Sequence, residues 1–124
     1  MGTDKPTGSE NLSQLFINKS VVEKVLLQTE KDLYPYFDGE RLTKQMDQLS
    51  FEEVRDNLGS AIMEIDKGSS GELRSVLYRV DVPEREFIDK LGDSDYYGVL
   101  AEAILNRELK KVIFRLHYSP GDDS

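Results

Sequence analysis

Apolar side chains recur at steps of three, four and seven residues along most of the chain, which is the spacing that places them on one face of an α-helix. The longest segment of this kind runs from Ser94 to Tyr118. Its apolar positions are Gly98, Ala101, Leu105, Leu109, Val112 and Leu116. The pattern predicts a long C-terminal helix around which the other helices pack.

An earlier segment has the same spacing, with apolar positions at Val22, Val25, Leu26, Thr29 and Leu33. We expect this helix to end near Tyr34, because Pro35 disfavours helical backbone in the residue before it. Two starting points fit the pattern. Ser20 and Glu23 match a capping box, while the apolar spacing also extends back to Leu12 as one longer helix.

Four further helices are predicted between these two segments. The first covers residues 40–49. The next two begin at sequences typical of capping boxes, S-F-E-E at 50–53 and S-S-G-E at 69–72. The last begins at Pro83, a residue favoured in the first helical turn, and ends at Gly92.

Two segments are also compatible with β-strands, because apolar and polar residues alternate over 76–82 and over 111–118. The helical interpretation is favoured at 76–82 by the capping box that precedes it. The predicted fold class is therefore all-α, a compact bundle of five or six helices around the long C-terminal helix. The alternative is an α+β domain with a small sheet formed by these two segments.

The length of 124 residues predicts a single domain. We expect a disordered tail over residues 1–10, which hold no apolar pattern, a helical domain over 11–118 and a frayed C-terminus over 119–124. Hydrophobic residues make up 38% and charged residues 32% of the chain, as is typical of soluble globular proteins.

The chain is acidic, with 24 Asp and Glu against 16 Lys and Arg and a net charge of −8 at pH 7. This charge repels phosphate backbones and anionic lipid, which disfavours nucleic acid and membranes as partners. No apolar run is long enough to cross a bilayer, and the N-terminus has no apolar signal segment. We therefore expect a cytoplasmic protein.

Sequence patterns associated with catalysis are missing. The chain has one histidine, His117, and no cysteine, so common zinc, di-iron and thiol chemistries lack their ligands. It has neither a glycine-rich phosphate loop nor a nucleophile elbow. Most carboxylate clusters fall in predicted first helical turns, where they favour the helix dipole. We expect no enzyme activity, no cofactor and no metal site.

The C-terminal helix carries a second face that is basic. Arg107, Lys111 and Arg115 are four residues apart, and Phe114 and Tyr118 lie on the same face. Like charges at this spacing repel by about 0.2–0.5 kcal/mol per pair, so something should offset the repulsion. Carboxylates from elsewhere in the chain would do so. So would an external anion, and the aromatic rings would then add stacking or cation–π contacts.

A second candidate binding surface is the aromatic turn of Tyr34, Tyr36 and Phe37. Aromatic side chains in a loop are typical of partner-binding hot spots. The competing interpretation is that they cover one end of the bundle, since large exposed aromatic patches are uncommon on monomers.

The sequence thus predicts a non-enzymatic helical module for protein interaction, which binds an acidic partner or self-associates, for example as a homodimer. The alternative is a protein that binds a small anionic ligand, a phosphate or a nucleotide. In that case Arg79 would join Arg107, Lys111 and Arg115 as an anion clamp.

Overall fold

The computed structural model of the protein describes residues 18–68, 70–83, 85, 92 and 94–118. Over these residues the fold is all-α, and none of them lies in a strand. The predicted tail at 1–10, the frayed end at 119–124 and most of the predicted helix after Pro83 fall outside the described residues. The prediction of an all-α fold is confirmed.

Within the described residues, five α-helices and one short 3-10 helix have both of their ends defined. They are α1 (Lys19–Asp32), α2 (Gly39–Thr43), the 3-10 helix (Met46–Gln48), α3 (Phe51–Gly68), α4 (Ser70–Val80) and α5 (Tyr96–Tyr118). The segment 76–82 lies in α4 and directly after it, and the segment 111–118 lies in α5. Within the described residues, neither segment forms a strand, so the alternative with a small sheet is not supported. No helix in the described ranges is both long enough and apolar enough to cross a bilayer.

The starts of α1 and α3 are fixed by side chains that satisfy free backbone N–H groups. Before α3, the N–H of Glu53 donates to Ser50 Oγ (3.1 Å) and the N–H of Ser50 donates to Glu53 Oε1 (3.0 Å). This is the predicted capping box. At α1 the cap is Asn18, whose Oδ1 accepts from the N–H of Val21 (3.2 Å). Ser20, one of the two predicted starting points, lies inside the helix, and the other, Leu12, falls outside the described residues.

The helix predicted at 40–49 is broken in two. Asp38 caps α2 by accepting from the N–H of Arg41, and α2 ends after one turn at Thr43. Gly39 lies directly against α1, because a Cβ placed there would be 2.8 Å from the carbonyl carbon of Leu26 and closer still to its oxygen. The close crossing of α1 and α2 therefore sets the path of this segment.

The core lies between α5 and the helices around it. The most extensive packing of α5 is against α3 and α1, and α4 packs against both α3 and α5. Fully buried aliphatic side chains come from all the longer helices: Leu26, Val54, Leu58, Ile62, Val80, Leu100, Ile104 and Leu105. Of the predicted apolar face of α5, Ala101, Leu105, Leu109 and Val112 are buried, but Leu116 is 53% exposed. The prediction that Leu116 belongs to the core was wrong.

Candidate functional site

The basic face of α5 is turned toward α1 and the end of α4. Arg107 Nη2 donates to Asp81 Oδ2 (2.7 Å), and Lys111 Nζ donates to Asp32 Oδ2 (3.0 Å). Both side chains are mostly covered, so this part of the basic face is not an open surface. Carboxylates of the same chain thus offset the repulsion between these two cations, as one of the two interpretations of this face proposed.

Asp81 reaches Arg107 because it follows the last turn of α4 in a left-handed conformation, with φ at 75°. Its backbone N–H donates to the carbonyl of Leu77 (2.9 Å), and the N–H of Val82 donates to the same oxygen (3.0 Å). This arrangement satisfies a free carbonyl at the helix end. Asp is among the few residues other than Gly that adopt this conformation readily.

A pair of carboxyl groups lies beside Lys111, between α1 and α5. Glu108 is fully buried and Asp32 is 8% exposed. Lys111 Nζ is 3.0 Å from Asp32 Oδ2 and 3.5 Å from Glu108 Oε1. If both acids were ionised, neither oxygen of Glu108 would accept a hydrogen bond from a described residue. A buried carboxylate without donors is strongly disfavoured, so the pair needs a proton.

Burial raises the pKa of Glu108 to about 8, and the neighbouring carboxylate of Asp32 adds to the rise, while Lys111 opposes it. Burial also raises the pKa of Asp32, but hydrogen bonds from Glu108, Lys111 and Gln28 outweigh this and leave it lowered. At neutral pH Glu108 is therefore the protonated member of the pair.

An open groove of about 310 Å³ runs along the surface between α1 and the end of α5. Val112 is its buried floor, and Leu27 and Leu116 are large aliphatic side chains that remain 43% and 53% exposed. The full lining is Lys24, Leu27, Gln28, Lys31, Val112, Arg115 and Leu116. These described residues include three cations and no carboxylate, in a chain that is acidic as a whole.

Gln28 connects the groove to the buried carboxyl pair. Its Nε2 donates to Asp32 Oδ2 (3.2 Å), and its Oε1 accepts from Arg115 Nη2 (3.1 Å). Arg115 is an exposed groove residue, so two hydrogen bonds connect the groove surface to Asp32. Sequence reasoning missed the groove. A signal was present, because Leu27 lies off the apolar face of α1, between Lys24 and Lys31 at helical spacing.

The other predicted binding residues are dispersed. Phe114 is mostly exposed on α5, and the side chain of Tyr118 lies outside the described residues. In the aromatic turn Phe37 is buried in the core, Tyr36 is at the surface and Tyr34 is strongly exposed. The turn is thus part core and part surface. It sits at the end of α1, where Arg79 Nη1 donates to the carbonyl oxygen of Asp32 (2.5 Å).

In the described part of the chain, no three side chains of His, Cys, Asp or Glu converge on one point. Comparison of the chain with protein-family models, with curated proteins and with solved structures finds no match. A function for this chain therefore rests on the geometry of the groove and of the groups behind it.

Proposed function

We propose that the chain forms a compact helical bundle built around α5 and acts as a non-enzymatic protein-interaction module, whose partner is an acidic amphipathic helix docked in the groove between α1 and α5. The observation that carries the proposal is the lining of the groove. Exposed aliphatic side chains are bordered by Lys24, Lys31 and Arg115, and no carboxylate lies among the lining residues.

The chemistry of the groove argues for this partner. A groove between two helices accepts a third helix, which buries apolar side chains at three- and four-residue spacing. Leu27 and Leu116 would gain about 1 kcal/mol each, since roughly half of each side chain is left to bury. The three cations would attract carboxylates on the flanks of the partner and repel a basic helix, which provides specificity.

The test uses two labelled helical peptides with identical leucines on one face. One carries glutamates on both flanks and the other carries lysines at the same positions. Fluorescence anisotropy should show binding of the acidic peptide only. The double variant Lys24→Glu with Lys31→Glu should weaken this binding by about tenfold or more, because two attractions become repulsions.

A matched control separates the groove from net charge. Lys44→Glu with Lys67→Glu makes the same change in charge at two exposed positions that do not line the groove. This variant should bind the acidic peptide as the unmodified chain does. Equal loss in both double variants, or equal binding of both peptides, would contradict the proposal. Sedimentation of the protein without peptide measures its oligomeric state. A dimer would indicate that a second copy of the chain occupies the groove.

Binding of a small anionic ligand is the weaker alternative. It would use Arg79, Arg107, Lys111 and Arg115 as a clamp, but each of these side chains already donates to a residue of the same chain. A phosphate would therefore have to displace several internal hydrogen bonds. Inorganic phosphate should leave the thermal midpoint of unfolding unchanged, whereas a stabilised protein would favour this alternative.

A further inference from the structure

The buried carboxyl pair is connected to the proposed docking groove at the last turn of α1, because the groove residue Gln28 donates to Asp32. Asp32 is the final residue of α1, and Glu108 and Lys111 are on adjacent turns of the same face of α5. The only hydrogen-bond donor that Glu108 can supply to Asp32 is its own carboxyl proton. A hydrogen bond made through that proton would join α1 to α5 beside Lys111, which is 3.0 Å from Asp32 Oδ2 and 3.5 Å from Glu108 Oε1.

The charged groups around Glu108 cannot replace this proton. From α5, Lys111 donates to Asp32 and is 3.5 Å from Glu108 Oε1 without a hydrogen bond to it, and Arg107 is bound to Asp81. From α4, Arg79 donates to the backbone carbonyl of Asp32. On the face of α3 that meets α5, Arg55 is held by Asp95 and Glu102, nearer the start of α5.

Also from α3, Asp66 accepts from the hydroxyl of Tyr97 at the start of α5 (2.7 Å), so it lies in the same distant part of the interface. Arg115, the remaining cation of this face, donates to Gln28. Ionised Glu108 would then be a second buried negative charge beside Asp32, with Lys111 alone to serve both. Solvation by water would require α1 and α5 to separate here.

We propose that the proton shared by Glu108 and Asp32 is a latch that keeps α1 against the C-terminal half of α5, and that its loss opens the groove. Gln28 carries the change outward, because it is bound both to Asp32 and to Arg115. The latch does not depend on which partner occupies the groove. Once the groove has opened, it should bind the acidic helix more weakly. This consequence for binding rests on the proposed function.

The latch can be tested by spin-label distances, since the chain has no native cysteine. One label is placed at Lys31→Cys on α1 and the other at Lys110→Cys on α5, next to Asp32 and Glu108 in the sequence. Both positions are exposed. The distance should become longer and broader as the pH rises, with a midpoint near 8. A control pair at Glu64→Cys on α3 and Lys110→Cys should keep its distance over the same range.

Two variants test whether ionisation of Glu108 causes the change in distance. Glu108→Gln keeps the shape and a donor toward Asp32 but cannot ionise, so the distance should stay short at every pH. Asp32→Asn removes the neighbouring charge and should move the transition to lower pH, an effect that a purely structural role would not produce. A distance that does not change with pH in the unmodified pair, or one that changes equally in Glu108→Gln, would overturn the latch.

Peptide binding is measured separately, on unlabelled protein, so that the two proposals can fail independently. A pH-dependent distance with no binding of the acidic peptide would support the latch and contradict the proposed function. Binding that is tight about two pH units below the transition and several-fold weaker about two units above it, with no such change in Glu108→Gln, supports both.

Discussion

Gly39 begins α2 at a point where its backbone lies against the backbone of α1. A side chain at this position would overlap the carbonyl group of Leu26, which cannot move without displacing the helix. We predict that Gly39→Ala lowers the free energy of unfolding by about 2 kcal/mol or more, in the range of overpacked sites. Urea denaturation followed by circular dichroism measures the change.

Two other glycines provide the comparison. Nothing lies within 4 Å of a Cβ built at Gly71 in α4, so Gly71→Ala should be neutral or stabilise by up to about 1 kcal/mol. At Gly98 a Cβ would be 2.5 Å from Arg55 Nη2, a flexible group that can move, and the loss should be intermediate. A Gly39→Ala protein as stable as Gly71→Ala would refute the close crossing of α1 and α2.

At the scale of elements, the two ends of the apolar face of α5 should differ in their contribution to stability. Leu105 is fully buried, so Leu105→Ala removes a side chain and leaves a cavity, at a cost of about 2–5 kcal/mol. Leu116 is half exposed beside the groove, and Leu116→Ala should cost less than about 1 kcal/mol. If urea denaturation showed similar losses in the free energy of unfolding for the two variants, α5 would have to be rotated about its axis relative to the orientation described above.

Local signals were sufficient to predict most of the described helices, because the interactions involved are only a few residues apart. The capping box of Ser50 and Glu53 and the long periodic pattern of α5 both correspond to observed structure. The break after Thr43 was not predictable in the same way. The contact of Gly39 with Leu26, just before this break, is made only when the chain has folded.

The candidate site was harder to predict than the helices, because it depends on how α5 is rotated. A periodic pattern groups Glu108 with other polar residues, although it is fully buried. The apolar pattern includes Leu116, which lies at the surface, and excludes Leu27, which lines the groove with it. The helical spacing therefore placed Arg107, Lys111 and Arg115 on one face of α5, but it did not identify the residues of α1 and the end of α4 that accept their hydrogen bonds.

At the scale of the whole molecule, the carboxyl pair predicts how stability varies with pH. Glu108 has an ordinary pKa of 4.5 that rises to about 8 in the folded protein, so the folded state retains a proton that the unfolded state has lost. Stability from this group is complete below pH 4.5 and decreases up to about pH 8. The slope for one proton is about 1.4 kcal/mol per pH unit, which totals a few kcal/mol.

Asp32 acts in the opposite direction, because its pKa is lowered from 3.8 and its contribution is lost only as the pH falls below that value. The pair therefore favours the folded state most at mildly acidic pH. Urea denaturation at several pH values should show decreasing stability between 4.5 and about 8. Glu108→Gln cannot ionise, so its curve should be flatter over this interval and should cross that of the unmodified chain. Parallel curves would mean that Glu108 is already ionised at neutral pH, and the buried pair would then have to be solvated by water that separates α1 from α5.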